Sequence, residues 1–329
     1  MNIIFSAGDC NGIGLEILCK ALAEISQNED LSAKMSFAIA VNPDIFKSYL
    51  SAFNFPVNIG KDYFSVNNLK CSIVKCKSKA EINFANVSAD AGKHSAESIN
   101  TALEKTISGE FSAMVTLPIS KKALHLAGTQ FAGHTELIAD RCGVTRPMMI
   151  LFHENIRVAL ATIHLPLQQV AKKIKFSLLK ERISLFNQSL KNDFGIKKPK
   201  IAVLGLNPHS GEAGEIGDEE IEIINPAIEG ARKTIPDIEG PFPADGFWGF
   251  DLYKNYDGVL AMYHDQGLIP IKMLSKGQGV NFTAGLPIVR TSPDHGTAFE
   301  IAGTGVADHS SLMNAIFSAM MIVENRSKI

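Results

Sequence analysis

The sequence predicts an α/β fold, with two interwoven α/β/α domains built on mostly parallel sheets. Three observations lead there. Short β-prone apolar runs alternate with longer segments whose apolar residues recur at helical spacing, the pattern of strands joined by crossover helices. The 329 residues, 46% hydrophobic and 20% charged, are enough for two domains or one large α/β unit. No internal repeat, low-complexity tract or Pro/Gly-rich linker divides the chain, so two domains would be interwoven rather than strung on a linker.

The elements follow in order. MNIIFSAG reads as the first strand and GLEILCKALAEISQ as the helix after it. MSFAIAV is a strand, and NPDIFKSYLSAF a helix capped by its Asn-Pro-Asp start. AESINTALEKTISG forms a helix ending at Gly109, FSAMVTL a strand, and HTELIADRCG a helix ending at Gly143. PMMILFHEN and IRVALATIHLPL read as strands, and LQQVAKKI and SLLKERISLFNQSLKNDFG as helices. PKIAVLGLNP is a strand, GDEEIEIINPAIEGARKT a helix, and DGVLAMYHD a strand that turns at Gly267 into a second apolar run ending at Lys272. SSLMNAIFSAMMIVENRSKI closes the pattern as an amphipathic helix.

Composition excludes several classes. A net charge of −2, from 32 basic and 34 acidic residues, gives no electrostatic case for nucleic acid or an anionic membrane. The clusters Lys172, Lys173, Lys175 and Lys197, Lys198, Lys200 read as solvated faces. Five cysteines, an odd number without a C-x-x-C pair, argue against a disulfide framework or a thiolate zinc site and for a reducing compartment. The N-terminus has no basic n-region, and no apolar run approaches the roughly 20 residues of a membrane span. The expectation is a cytoplasmic protein.

Chemistry concentrates at strand ends. His164, His209 and His264 each stand just past the C-terminal end of an apolar strand, where open α/β sheets form their ligand crevice. Three imidazoles on one rim can hold a divalent metal and leave positions open. Each alone reads equally as a hydrogen-bonded loop residue. Asp265, beside His264, and Asp245, in PFPADGF, are candidate orienters or general bases; Asp245 before Gly246 equally suits a turn cap. Gly8 to Gly14 follows the first strand but matches neither G-x-G-x-x-G nor a P-loop, so it reads as a tight strand-to-helix turn. His134 and Thr135 open a helix, where Thr135 could cap and exposed amides could take a phosphate or carboxylate. Lys272, Asn281 and Arg290 fall at loop-like or strand-end positions suited to anions, or to a plain surface. Asp294 to Gly305 is rich in glycine and small residues, which lets backbone approach a flat ligand or simply forms a loop.

The stretches GDCNGIGLEI, TLPISKKAL, FAGHTELIA, LGLNPHSGEAGEIGDEE, YDGVLAMYHDQGLIPIK and TSPDHGTAFEIAGTGVAD cover most of the chain in order. With them the chain resembles the 4-hydroxythreonine-4-phosphate dehydrogenase family of pyridoxal phosphate biosynthesis, related in fold to isocitrate and isopropylmalate dehydrogenases. The resemblance implies a homodimer of two-domain subunits, residues 1–130 with 285–329 forming one domain with the cofactor loop and 131–284 the other with the metal site. The active site would lie in the cleft between them, near the dimer interface. It implies NAD- or NADP-dependent oxidation of the 3-hydroxyl of 4-phosphooxy-L-threonine, then loss of carbon dioxide. Metal ligands would be His164, His209 and His264, shared across the dimer and holding zinc, cobalt, magnesium or manganese. Substrate contacts would be His134, Thr135, Lys272, Asn281 and Arg290, with Asp245 or Asp265 as base. Asp294, His295, Gly296, Thr297 and Ala298 would form the cofactor loop. Cys10, Asn11 and Leu15 depart from the family's usual first loop, and PADGFW from its usual form there. The alternatives are a paralogue acting on a related hydroxy acid phosphate such as threonate 4-phosphate or on a cyclic diol, a metal-dependent hydrolase, and a catalytically inactive phosphometabolite binder.

Overall fold

β1 (Asn2–Ser6) is an apolar run with four consecutive buried residues, as a strand covered on both faces requires. In this computed structural model, which describes residues 1–131 and 133–329, β1 belongs to the first of two units. That unit comprises Met1–Thr145 and Leu286–Val323; the second comprises Arg146–Gly285 and Glu324–Ile329.

In the first unit α1 (Gly14–Ile25), α2 (Glu29–Lys34), β2 (Ser36–Val41) and α3 (Pro43–Leu50) follow β1. The Asn42 side chain caps α3 by accepting from the Asp44 amide, as its Asn-Pro-Asp start predicts. A meander of β3 (Val57–Ile59), β4 (Tyr63–Val66) and β5 (Leu69–Lys75) comes next, and its antiparallel strands were absent from the sequence reading. α4 (Ala89–Ile107) starts earlier than the periodicity suggests, because Ser88 caps it, and ends before Gly109 at φ +79°. β6 (Ala113–Thr116), α5 (Lys121–Leu126) and α6 (His134–Arg141) complete this stretch.

The second unit begins with β7 (Met148–His153) and β8 (Ile156–Leu160), an antiparallel hairpin turning through Glu154 at φ +49°. α7 (Leu167–Lys173), α8 (Phe176–Asn192), β9 (Ile201–Leu204), α9 (Asn225–Arg232), β10 (Ile238–Phe242), α10 (Ala244–Gly249), β11 (Gly258–Ala261), α11 (His264–Ser275) and β12 (Val280–Ala284) follow. The chain then returns to the first unit for β13 (Val289–Pro293) and α12 (Ser310–Arg326).

Strand order in the first unit is β13-β6-β1-β2-β5-β4-β3, parallel from β13 to β5. Its core joins Ile4, Ala38, Met114, Ile99, Leu103, Ile138 and Ile288. In the second unit the order is β10-β9-β11-β8-β7-β12, with β10, β9, β11 and β8 parallel. Its core includes Leu151, Val158, Leu160, Leu204, Phe247, Val259 and Leu268.

One element differs in kind from expectation. The run after β11 is not a turn and a second strand but the helix α11, with Pro270 inside it. Gly267 is not a turn residue either. A Cβ there would stand 2.8 Å from Val158 Cγ1 and 2.9 Å from Leu160 Cδ2, so the missing side chain lets α11 lie on β8. All five cysteines are free thiols. Among the described residues no helix is long and apolar enough to cross a membrane.

Candidate active site

Parallel pairing fixes where the histidines emerge. β9, β11 and β8 are neighbours running in one direction, so His209, His264 and His164 all follow the same edge of the second unit's sheet. The backbones after β8 and β11 stay paired: the Ala161 amide donates to the Ala261 carbonyl at 2.8 Å, and Thr162 Oγ1 to the Met262 carbonyl at 2.7 Å. That extended pairing holds the His164 and His264 ring centroids 5.9 Å apart. His264 opens α11, and its Nδ1 is 2.6 Å from Asp265 Oδ1. With the proton on Nδ1, the carboxylate fixes the ring and Nε2 presents its lone pair, the tautomer a metal ligand needs.

His209 lies in a left-handed turn. Five consecutive residues, His209 to Ala213, have φ of 52°, 52°, 79°, 43° and 54°, and only Gly211 adopts that region without cost. Each of the other four costs roughly 1–2 kcal/mol, so the surroundings must impose the turn. Gln266 is one restraint that sequence reasoning missed. Its amide donates to the Gly205 carbonyl at 2.6 Å and accepts from the Met262 amide at 2.7 Å, tying the ends of β9 and β11 together. Asp245, exposed, sits in the first turn of α10, which packs on the His209 turn.

The donor types suit a divalent cation, but among the described residues no three His, Cys, Asp or Glu side chains converge to hold one. One chain brings His164 and His264 together and leaves the triad incomplete. Lys272 is exposed on α11, and Asn281 lies on β12 with its Oδ1 buried and unpartnered.

The first unit carries a buried arginine with a histidine beside it. Arg290 on β13 is fully buried and donates from Nη2 and Nε to Thr116 Oγ1, at 2.6 and 3.1 Å. Burial lowers its pKa to about 10, against the opposing charge of Glu136. His134 is the first residue of α6. Burial, then the nearby Arg290 charge, hold its pKa well below the ordinary histidine value, while the Leu117 carbonyl acts in the opposite sense. Its Nε2 is buried with no partner. Thr135 does not cap α6: the cap position is Gly133, and no side chain bonds there.

The loop Asp294–Ala298 is clamped to the first strand-to-helix turn. The Ile13 amide donates to the Thr297 carbonyl at 3.1 Å, and a Cβ on Gly12 would stand 2.9 Å from Thr297 Cβ. The Asp294 amide donates to Ser311 Oγ at 3.0 Å, and Ala298 is left-handed at φ 43°. His295 Nε2, like His134 Nε2 and Asn281 Oδ1, is shielded from water without a partner. A buried polar atom without a partner is one that a bound ligand can satisfy. The first turn therefore supports a neighbouring loop, a role that neither glycine motif would have revealed.

Comparison with known proteins places these residues in a family context. The family model described as "Pyridoxal phosphate biosynthetic protein PdxA" matches residues 33–319. The chain is similar to the 4-hydroxythreonine-4-phosphate dehydrogenase of Bacteroides thetaiotaomicron, 38% identical over 100% of this chain and 90% of the relative. Among solved structures, the 4-hydroxythreonine-4-phosphate dehydrogenase of Klebsiella pneumoniae superposes with a TM-score of 0.80 at 35% identity, covering 98% of each chain. Isocitrate dehydrogenase of Methylococcus capsulatus, at TM-score 0.51 and 11% identity over 99% of this chain and 86% of that one, shares the fold alone.

Proposed function

Because the chain belongs to the family of pyridoxal phosphate biosynthetic proteins PdxA, we propose that it oxidises 4-phosphooxy-L-threonine with a nicotinamide cofactor. The single observation that carries this reading is coverage: a dehydrogenase relative aligns over the entire chain, motif-bearing strand ends included. The 3-hydroxyl loses its proton to a base and its carbon loses hydride, giving 2-amino-3-oxo-4-phosphooxybutanoate. Loss of carbon dioxide then yields 3-amino-2-oxopropyl phosphate.

The loop Asp294–Ala298 would hold the cofactor, NAD or NADP, whose nicotinamide would supply the hydride acceptor. A divalent cation held by His164, His209 and His264 supplies Lewis-acid polarisation of the hydroxyl. One chain aligns only two of these imidazoles, and we assign completion of the set to a homodimer. Exposed apolar side chains in the second unit, Phe250, Ile269 and Met273, support such pairing.

The remaining roles follow from contacts. Arg290 is charged, buried and braced by Thr116, which suits a phosphate contact made without reorganisation. Neutral His134 can take a hydrogen from the substrate at Nε2. Thr135, Lys272 and Asn281 complete the proposed polar set. Asp265 is engaged with His264, so it orients that ring, and we assign proton acceptance to the exposed Asp245.

The test is NADH formation from 4-phosphooxy-L-threonine before and after thorough chelation. Substrate-dependent NADH that is abolished by chelation and restored by zinc or cobalt is the expected result. Turnover that survives chelation removes the metal from the scheme, and no turnover on this substrate but turnover on threonate 4-phosphate reassigns the substrate.

A further inference from the structure

We propose that Glu220 is the positioning residue that locks the left-handed turn of His209 and so fixes where that imidazole stands at the sheet edge. The inference rests on the metal reading above and names a device within that site.

Glu220 is 2% exposed, and no cation pairs with it among the described residues. Its charge is met instead by amide hydrogens. Oε1 accepts from the backbone amides of Leu206 and Asn207, at 2.6 and 2.8 Å, and Oε2 from Asn207 Nδ2 at 2.9 Å. These donors are the residues between β9 and the turn, so the carboxylate occupies the inside of the bend. Glu219 adds an outer contact, accepting from Asn207 Nδ2 at 2.7 Å.

The glycines on either side confirm how closely the chain wraps this carboxylate. A Cβ on Gly205 would be 3.1 Å from Oε1, and one on Gly211 would be 2.7 Å from Oε2. Backbone must therefore approach Glu220 at two points of the turn where no side chain fits. Gly205 also accepts from Gln266, which lies two residues beyond His264 on α11. Glu220 inside the bend and Gln266 outside it grip the same strand end. The result is a His209 turn held on a fixed strand end, so that each chain presents this imidazole to a dimer-completed site in one position.

A residue that acts this way should control metal affinity before it controls fold. Zinc affinity of the full chain, measured by equilibrium dialysis, is expected to weaken 10- to 100-fold in Glu220→Ala. Its kcat should fall by a similar factor, while KM for the nicotinamide cofactor stays within about twofold. Glu220→Gln keeps one carbonyl oxygen for the Leu206 and Asn207 amides but sets an NH2 against Asn207 Nδ2, so it should lie between wild type and Ala. Asn207→Ala removes only the Oε2 and Glu219 contacts and is expected to weaken zinc by a smaller factor, which keeps the test alive should Glu220→Ala not fold. Glu222→Ala, an exposed neighbour, should change nothing. Folded Glu220→Gln and Asn207→Ala chains that bind zinc as wild type does overturn the inference while leaving the metal reading intact. A wild-type chain that takes up no zinc overturns both.

Discussion

At the residue scale, two buried groups titrate in opposite senses. His94 is fully buried in α4, its Nε2 accepting from the Asn42 amide at 3.2 Å, and burial lowers its pKa to about 4 from 6.5. Asp9 is fully buried in the first turn, and burial raises its pKa to about 6 from 3.8 despite the Asn11 amide at 2.9 Å. A depressed histidine contributes stability that is present above 6.5 and lost as the pH falls towards 4. A raised carboxyl contributes stability that is present below 3.8 and lost as the pH rises through 6. Each shift corresponds to about 3 kcal/mol at most, so between pH 4 and 6 the two largely offset one another. Asp9→Asn should remove one arm: the variant gains up to about 3 kcal/mol at pH 7 and becomes markedly less stable from pH 6.5 to 4.5. Denaturant titrations at the two pH values check this, and a variant as flat as the wild type would overturn it. The strand-end histidines were legible because apolar strands end visibly in sequence. Asp9, Gln266 and Glu220 were not, because their meaning comes from donors brought near by folding.

At the scale of elements, close packing outweighs propensity. Alanine is ordinarily worth about 1 kcal/mol more than glycine within a helix. Gly92, in the first turn of α4, is the opposite case, since a Cβ would fall 2.0 Å from the Ala123 carbonyl oxygen where α4 meets α5. Gly92→Ala should lower stability by about 1–3 kcal/mol, read as a fall in melting temperature, and a rise would show that α5 simply moves aside. The same logic explains α11. Leu-Ile-Pro-Ile reads as an extended run, because proline argues against a helix interior. Gly267 and the surface of β8 decide otherwise, and that contact is not local in sequence. The β3–β5 meander escaped the reading for a different reason. Its strands are three to seven residues long and half-exposed, so they leave no long apolar period.

At the scale of the molecule, strand-helix alternation made the α/β class legible, but strand order was not, because sheet neighbours such as β6 and β13 lie far apart in sequence. The proposed homodimer gives a direct prediction. Met273 on α11 is 72% exposed and Ile269, one turn before it, 55%. Met273→Asp should shift the chain towards monomer in light scattering and lower zinc affinity in parallel, and an unchanged mass would place the interface elsewhere. The split of the first unit also has a consequence for how the chain is made. β6 pairs with β1 on one side and β13 on the other, and β13 is encoded some 170 residues downstream. On a ribosome moving at about 5–20 residues per second, the N-terminal strands wait on the order of 10 s with the β6 edge bare, while Arg146–Gly285 of the second unit emerges. Arg290 arrives in the strand that ends the wait. No nascent chain can therefore set Arg290 against Thr116 early, and any premature stop before β13 leaves the β6 edge open.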